Sequence, residues 1–226
     1  MYLILLTNLL ISCFSIYGSY HLFFKLLSNN TQFNALKEDR QYYVVKNIVK
    51  SISLLGISLC TFETMYKAMV NQPIDNFFIK TIATIYVTND IVALAVVPNL
   101  PKSTKIHHST TTFLLFFNYI SDYSTIYEPN NVAKLIIVYA LFSCYSFSVN
   151  FYLGVRLLND ESTKFKSFIK TIRYSSFVIY LLSCSLNWSY QIFTLLSNPI
   201  GMSQIIYVMV MSLVVYDDLV LLSWLK

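Results

Sequence analysis

The chain has 226 residues, of which 56% are hydrophobic and only 12% are charged, and its formal net charge is +5. A soluble domain of this length cannot bury so much apolar surface, so the composition excludes an ordinary water-soluble globular protein. We expect a polytopic membrane protein that forms one compact bundle, and contact with anionic lipid head groups explains the basic excess without a nucleic-acid partner.

Hydrophobic runs along the chain predict seven membrane-spanning helices, because a spanning helix needs about 20 mostly apolar residues. The first run has no basic residue before it and no small-residue cleavage site after it, so it is predicted to be a retained span rather than a signal peptide. A charged loop, 156–170, is predicted between the fifth and sixth spans. The seven predicted spans are 2–27, 42–65, 77–97, 106–123, 132–155, 172–196 and 203–225.

The distribution of basic residues predicts the orientation of the chain. With seven spans, thirteen of the sixteen lysines and arginines lie on the side of the C-terminus, and only Lys67, Lys80 and Lys134 lie on the opposite side. The positive-inside rule places the more basic side in the cytosol. The N-terminus is therefore predicted to be lumenal and the C-terminus cytosolic.

Two adjacent histidines, His107 and His108, stand near the start of the fourth predicted span. An imidazole can accept and return a proton near neutral pH. Polar groups within a membrane segment are costly and usually face the bundle interior or a watery cavity. We expect the pair to mark a functional centre; the alternative is that the histidines cap the helix or lie among lipid head groups.

Further polar residues are predicted at the same depth as the histidines. Asp90 lies about two turns from the cytosolic end of the third span, Asn150 lies late in the fifth, and Asp217 and Asp218 lie in the seventh. Adjacent helical residues point about 100° apart, so we expect one aspartate to face a cavity and the other an interface. Asn150 is equally consistent with an ordinary interhelical hydrogen bond. Asn118 is predicted to lie deeper.

The sequence lacks the motifs that are typical of several classes of protein. No glycine-rich phosphate loop, dinucleotide fingerprint, CxxC or HExxH motif occurs, and the last span has no lysine for a retinal Schiff base. The four cysteines have no metal-ligand spacing and are expected to be small buried packing residues. We expect no metal and no bound cofactor. The cysteines are Cys13, Cys60, Cys144 and Cys184.

Four stretches resemble the TLC domain, the family that includes the ceramide synthases and the translocating-chain-associated membrane proteins. The resemblance covers residues 40–226 as a six-helix membrane domain and leaves 1–39 as an added N-terminal helix and loop. The span from Tyr123 to Arg156 lacks the HDxxD-type carboxylate motif of the synthases, so the likeness is nearer the small non-synthase members. The four stretches are 40–47 (RQYYVVKN), 86–90 (YVTND), 105–110 (KIHHST) and 148–156 (SVNFYLGVR).

The resemblance implies a ring of six helices around a cavity open to the cytosol, with the N-terminal helix outside it. It also implies residence in the endoplasmic reticulum or another endomembrane. In ceramide synthases the histidine pair transfers an acyl group from acyl-CoA to a sphingoid amine. By this likeness the catalytic residues are His107, His108 and Asp90, and Asn150 and Arg156 belong to the cavity. The predicted depth of Asn118, Asp217 and Asp218 adds these three to the candidate cavity or substrate-binding residues.

The leading hypothesis is a lipid-handling protein that binds a fatty-acyl lipid within its bundle. Acyl transfer by the histidine pair, with acyl-CoA as co-substrate, is a further hypothesis, and the sequence does not decide whether the protein is an enzyme. One alternative is a non-catalytic lipid sensor or regulator of membrane composition, and another is a proton or ion carrier. The expected partner is a membrane lipid, and a homodimer is left open.

Overall fold

The computed structural model describes residues 2–123, 131–158, 163–197 and 201–226, and every regular element in these ranges is helical. A 3₁₀ turn, Cys144–Ser146, joins the sixth helix to the seventh, and a second one, Arg156–Leu158, follows the seventh. The α-helices in chain order are α1 Tyr2–Leu27, α2 Thr31–Ala35, α3 Glu38–Met69, α4 Asn76–Val96, α5 Lys102–Ile120, α6 Val132–Ser143, α7 Phe147–Val155, α8 Thr163–Leu196 and α9 Met202–Leu225.

Several of these helices are long and apolar enough to cross a membrane, which agrees with the predicted multi-pass α-helical class. Five segments meet that standard of length and composition in the described ranges. The predicted fourth and sixth spans correspond to α5 and α8, which are not among the five. Helix α5 opens with a polar run, and the apolar part of α8 is interrupted by polar residues such as Asn187 and Gln191. The count of seven crossings therefore stays a prediction. The five segments are Leu3–Leu27, Glu38–Met69, Asn76–Val96, Val132–Leu158 and Met202–Leu225.

The helices extend beyond the apolar runs from which they were predicted. The charged loop expected over 156–170 is wrong in its second half, because α8 already begins at Thr163; residues 159–162 lie outside the described part. Helix α5 begins at Lys102 rather than at residue 106, directly after Pro101. Backbone hydrogen bonding continues a helix through polar side chains, so hydrophobicity alone misplaces both starts.

The longer helices contact one another in cyclic order. Helix α3 contacts α4, α4 contacts α5, α5 contacts α9, α9 contacts α8, and α8 contacts the α6–α7 rod, which returns to α3. Helix α1 packs against α3 and α4, and most of its apolar side chains remain exposed. This arrangement gives six helical rods a shared interior and leaves α1 at the periphery.

The closest helix packing is between α3 and α7. A Cβ atom added to Gly154 would lie 2.9 Å from Ile48 Cγ1 and 3.3 Å from the Val44 carbonyl oxygen, so only glycine fits there without a shift. Asn150 lies about one turn before Gly154 on α7 and is buried. The close approach therefore holds Asn150 against the part of α3 that carries buried lysines.

Buried polar side chains are concentrated at one end of the bundle. The first half of α3, the last turns of α4, the start of α5 and the second half of α9 all meet there. Two of the four cysteines, Cys144 and Cys184, are buried as expected, but Cys60 is exposed, so the packing prediction is wrong for it.

Candidate functional site: a buried polar cavity

Seven α-helices, α3 to α9, contribute side chains to a single polar cavity at this end of the bundle. Helix α5 presents Thr104, His107 and His108 at spacings of three and four residues, which lie on one face of a helix. The charged, imidazole, amide and phenol groups in the lining are Lys46 and Lys50 of α3, His107 and His108, Asn47 of α3, Asn150 of α7, Tyr43 and Tyr86, Tyr180 of α8, and Asp217 and Asp218 of α9.

Asp90 of α4 contacts a lysine, a threonine and both histidines. It is fully buried, and its Oδ1 lies 2.5 Å from the Lys50 Nζ. Its Oδ2 accepts a hydrogen bond of 2.7 Å from the Thr111 hydroxyl. A buried unpaired carboxylate costs several kcal/mol, so the ammonium and the hydroxyl explain how the helices tolerate Asp90 at this position.

Both histidines point into the bundle. The exposed fractions are 7% for His107 and 1% for His108, so neither side chain lies among lipid head groups. The His108 Nδ1 is 2.9 Å from Asp90 Oδ1, although the two atoms are not aligned for a hydrogen bond. The His107 Nε2 is 3.7 Å from Asp90 Oδ2, and its Nδ1 is 3.5 Å from Asp217 Oδ2.

Some of the hydrogen-bonding atoms around the histidines have no partner. The His108 Nε2, the His107 Nδ1 and Asp217 Oδ1 are buried without a hydrogen-bond partner. A neutral imidazole has one donor and one acceptor nitrogen, and buried polar groups in folded proteins are normally paired. Unpaired groups gathered around one cavity are typical of a site that binds another molecule.

Asp217 and Asp218 are both buried and both line the polar cavity, and Asp218 also faces the contact of α9 with α6 and α8. Asp218 accepts hydrogen bonds from the Tyr180 hydroxyl, at 2.6 Å, and from the Tyr139 hydroxyl. The Trp188 Nε1 donates to the same Tyr139 oxygen at 3.4 Å. Helix α9 lies between α5 and α8, so side chains that point about 100° apart both meet a neighbouring helix.

The other three predicted site residues lie in surroundings that differ from one another. Asn150 lines the polar cavity, and its Nδ2 donates to the Ser146 carbonyl oxygen at 2.8 Å. Asn118 lies farther along α5 and accepts a hydrogen bond of 2.6 Å from the Tyr123 hydroxyl. The Arg156 guanidinium lies over the Tyr152 ring, 5.5 Å from its centre, and is not part of the cavity lining.

The groups of this site that the sequence did not single out include two lysines and two tyrosines. Lys46 and Lys50 lie four residues apart within the second predicted span, a spacing that places both on one helix face, but they were counted only as topological charges. Tyr139 and Tyr180 carried no signal, because a tyrosine in an apolar run is usually a packing residue. Only their shared partner, Asp218, reveals their role.

Apolar space adjoins the polar cavity. A slot of about 60 Å³ lies between α4, α5, α6 and α9, and Tyr86 and Ser143 line both the slot and the polar cavity. Between α8 and α9 a groove of about 480 Å³ has an almost entirely apolar lining. Tyr139 and Met211 line both the slot and the groove, so the three spaces are neighbours.

The histidines and Asp90 are near enough to one another to share a metal ion. Each offers a ligand atom, and these atoms lie within 4.8 Å of one another. However, the Lys50 ammonium already lies against Asp90 and would repel a cation bound there. The arrangement therefore favours proton chemistry by the imidazoles over metal binding.

Comparisons with protein-family models, with curated proteins and with solved structures each find no match. The likeness to the TLC domain stays a prediction from four stretches of sequence. The functional argument consequently depends on the geometry of the cavity.

Proposed function

We propose that this protein is a TLC-like membrane protein that binds a fatty-acyl lipid in its bundle and uses His107 and His108 in acyl transfer or hydrolysis. The single observation that carries the proposal is the convergence of two imidazoles and two carboxylates on one buried cavity beside apolar space, with a third carboxylate, Asp90, in contact with both imidazoles. In this proposal α5 and α8 complete seven crossings of an endomembrane such as that of the endoplasmic reticulum, and α1 stays outside the ring. The polar cavity then faces the cytosol.

The α8–α9 groove is the proposed location of the acyl chain. Its volume of about 480 Å³ lies within the range of ligand pockets, roughly 300–1,000 Å³. Its floor includes Tyr139, which hydrogen-bonds to Asp218 of the polar cavity. A chain in the groove would therefore have its polar end directed towards the histidines.

The chemistry is acid–base catalysis by an imidazole. A neutral imidazole nitrogen takes the proton of an amine, hydroxyl or water acceptor as the acceptor attacks the acyl carbonyl. The bond from the carbonyl carbon to the leaving group then breaks, and the leaving group takes the proton back from the imidazolium. Asp90 and Asp217 flank His107 and would stabilise its charged form during the reaction.

A proton carrier is less well supported by the same geometry. Such a carrier needs titratable or hydrogen-bonding groups along its whole path. The slot beyond the polar cavity is lined mainly by aliphatic side chains from α4, α5, α6 and α9, such as Leu115, Ile137 and Val214. A relay that begins at the histidines would end at this slot.

The test is turnover and lipid binding by the purified full-length chain. The protein is incubated with a long-chain acyl-CoA, with and without a sphingoid amine, and release of free CoA is measured; co-purified lipids are identified by mass spectrometry. We expect His107→Gln and His108→Gln to abolish turnover while retaining the co-purified acyl lipid. His21→Gln is the matched control, because His21 is an exposed histidine on α1 that makes an edge-to-face contact with Tyr17.

Each outcome has a distinct meaning. Turnover that survives both cavity variants would refute the catalytic role of the histidines. Acyl lipid bound to a wild-type protein that shows no turnover would favour the non-catalytic sensor. Absence of any acyl lipid from the wild-type protein would refute the lipid-binding proposal itself.

A further inference from the structure

Lys46 differs from the other buried lysines of the bundle. The Lys50 ammonium pairs with Asp90, and the Lys80 ammonium donates to the Tyr119 carbonyl oxygen at 3.1 Å. Lys46 is only 5% exposed, yet among the described residues it makes neither a hydrogen bond nor an ion pair. Its Nζ lies over the ring of Tyr43, 5.9 Å from the ring centre.

The Lys46 side chain brings a positive charge to the polar cavity without an ion-pair partner among the described residues. Removing a charge from water costs several kcal/mol, and buried charges in proteins are usually paired. Lys46 lines the polar cavity one helical turn before Lys50, on the same face of α3. Because Asp90 already pairs with Lys50, the Lys46 charge is available to an anion in the cavity.

The first turn of α5 provides a second positive feature beside the same cavity. Thr104 belongs to this turn and lines the cavity, one turn before His107 and His108. Pro101 precedes the helix and offers no side-chain hydrogen bond to its first amide groups. The free N–H groups at a helix start carry partial positive charge and bind anions readily.

A third feature is an acceptor that lacks a donor. Asn47 follows Lys46 on α3 and lines the same cavity, and its Nδ2 donates to the Tyr43 carbonyl oxygen. Its Oδ1 is buried and has no hydrogen-bond partner. A ligand that brings a hydroxyl group together with an anion would satisfy both Asn47 and Lys46.

We infer that Lys46, Asn47 and the first turn of α5 bind an anionic, hydroxyl-bearing head group: a phosphate-containing group of the substrate whose acyl chain lies in the apolar space. The inference rests on the proposed function, because it names the head-group chemistry for the same cavity. Thr104 and His107 are about one turn, or roughly 5 Å, apart along α5. In a lysophospholipid only a few bonds separate the phosphate from the acyl carbonyl, so a phosphate beside Thr104 places that carbonyl within reach of His107.

Two sources of phosphate fit this chemistry, namely a membrane phospholipid and a soluble acyl-CoA. The experiment measures binding of three probes with the same acyl chain: a lysophosphatidic acid, the corresponding monoacylglycerol and the acyl-CoA. The full-length protein is compared with Lys46→Gln and with Lys46→Arg. Lys166→Gln is the control, because Lys166 is an exposed lysine near the start of α8 and does not line the cavity.

We expect Lys46→Gln to weaken binding of at least one phosphate-bearing probe by about tenfold or more, since hydrogen bonds to charged groups are the stronger ones. Binding of monoacylglycerol should not change, and Lys46→Arg should retain most of the affinity. A loss confined to lysophosphatidic acid identifies a membrane lipid as the source, whereas a loss confined to acyl-CoA identifies the soluble donor. Equal losses for all three probes would overturn the inference, as would no loss for any probe.

A ligand-free measurement separates a binding role from a structural one. If Lys46 awaits an anion, Lys46→Gln removes an uncompensated buried charge, and the thermal unfolding midpoint should stay the same or rise. A lower midpoint would overturn the inference. Inorganic pyrophosphate distinguishes the two proposals: if it stabilises the wild-type protein but not Lys46→Gln while no acyl probe binds, the anion site stands and the acyl-lipid function fails.

Discussion

The ion pair between Lys50 and Asp90 gives the strongest test of the site architecture. The two residues join α3 to α4 within the buried end of the bundle, and the exposed fractions are 6% for Lys50 and 0% for Asp90. Asp90→Asn keeps the shape of the side chain and removes its charge. The variant therefore leaves the Lys50 ammonium buried without its counter-charge.

The magnitude follows from the distance and the burial. At 2.5 Å and an effective dielectric constant of about 20, the attraction is about 7 kcal/mol, and desolvation of the two ions offsets much of it. Breaking such a pair by removing one partner costs about 3–5 kcal/mol. For a chain of this size that loss corresponds to roughly 6–20 °C in the unfolding midpoint.

The two single substitutions, Lys50→Met and Asp90→Asn, should not lower the free energy of unfolding by the same amount. Lys50→Met leaves Asp90 with its hydrogen bond from Thr111 and with both imidazoles within 4.0 Å. Asp90→Asn leaves Lys50 with no other carboxylate within 4.0 Å among the described residues. We expect Asp90→Asn to be the more destabilising change.

The assay is a double-mutant cycle on the free energy of unfolding, measured in mixed micelles. The double variant Lys50→Met with Asp90→Asn removes both charges and should be more stable than Asp90→Asn alone. Glu63→Gln is the matched control, because the Glu63–Lys67 pair on α3 is as short, at 2.6 Å, but exposed, and its loss should leave the midpoint unchanged. Additive single losses, or losses below about 1 kcal/mol, would refute the buried ion pair, since ordinary interhelical hydrogen bonds in membranes average about 0.6 kcal/mol.

Three further predictions address packing, the second carboxylate and the lipid groove. Gly154→Val should destabilise the protein by about 1–3 kcal/mol, whereas Gly56→Val, where an added Cβ meets nothing within 4 Å, should change the unfolding midpoint little; equal effects would contradict the close helix contact. Tyr180→Phe removes one of two hydroxyl donors to buried Asp218 and should cost about 1–3 kcal/mol in the same unfolding assay, and a neutral result would mean that this hydrogen bond is not needed. Val208→Trp fills the groove from a half-exposed position and should reduce the co-purified acyl lipid measured by mass spectrometry; an unchanged lipid content would place the chain elsewhere.

The helices could be predicted from the sequence because a long apolar run is a local property. Most predicted spans therefore coincide with helices within a few residues, such as α1, α4 and α9. The starts of α5 and α8 were misplaced because their first turns are polar, and helix hydrogen bonds do not depend on apolar side chains. The cyclic order of contacts could not be derived, because it depends on which faces pack together across the whole chain.

For the polar site, too, local sequence predicts which residues are unusual but not how they are arranged in space. His107, His108 and Asp90 could be singled out because titratable side chains are rare within apolar runs. Their convergence depends on contacts between α4, α5 and α9, and no single segment encodes it. The likeness to the TLC domain guided the choice of residues, but it predicted neither the phenol groups on Asp218 nor the lysine on Asp90.

The two buried lysines of α3 differ in a way that their local sequence does not predict. Lys46 and Lys50 are the same residue type, one turn apart, on one face of one helix, and both are buried. What separates them is Asp90, forty residues later in the chain, which pairs with one and leaves the other without a counter-ion. A pattern of charges along α3 cannot distinguish a structural ion pair from a binding group, because that difference is created only when α4 packs against α3.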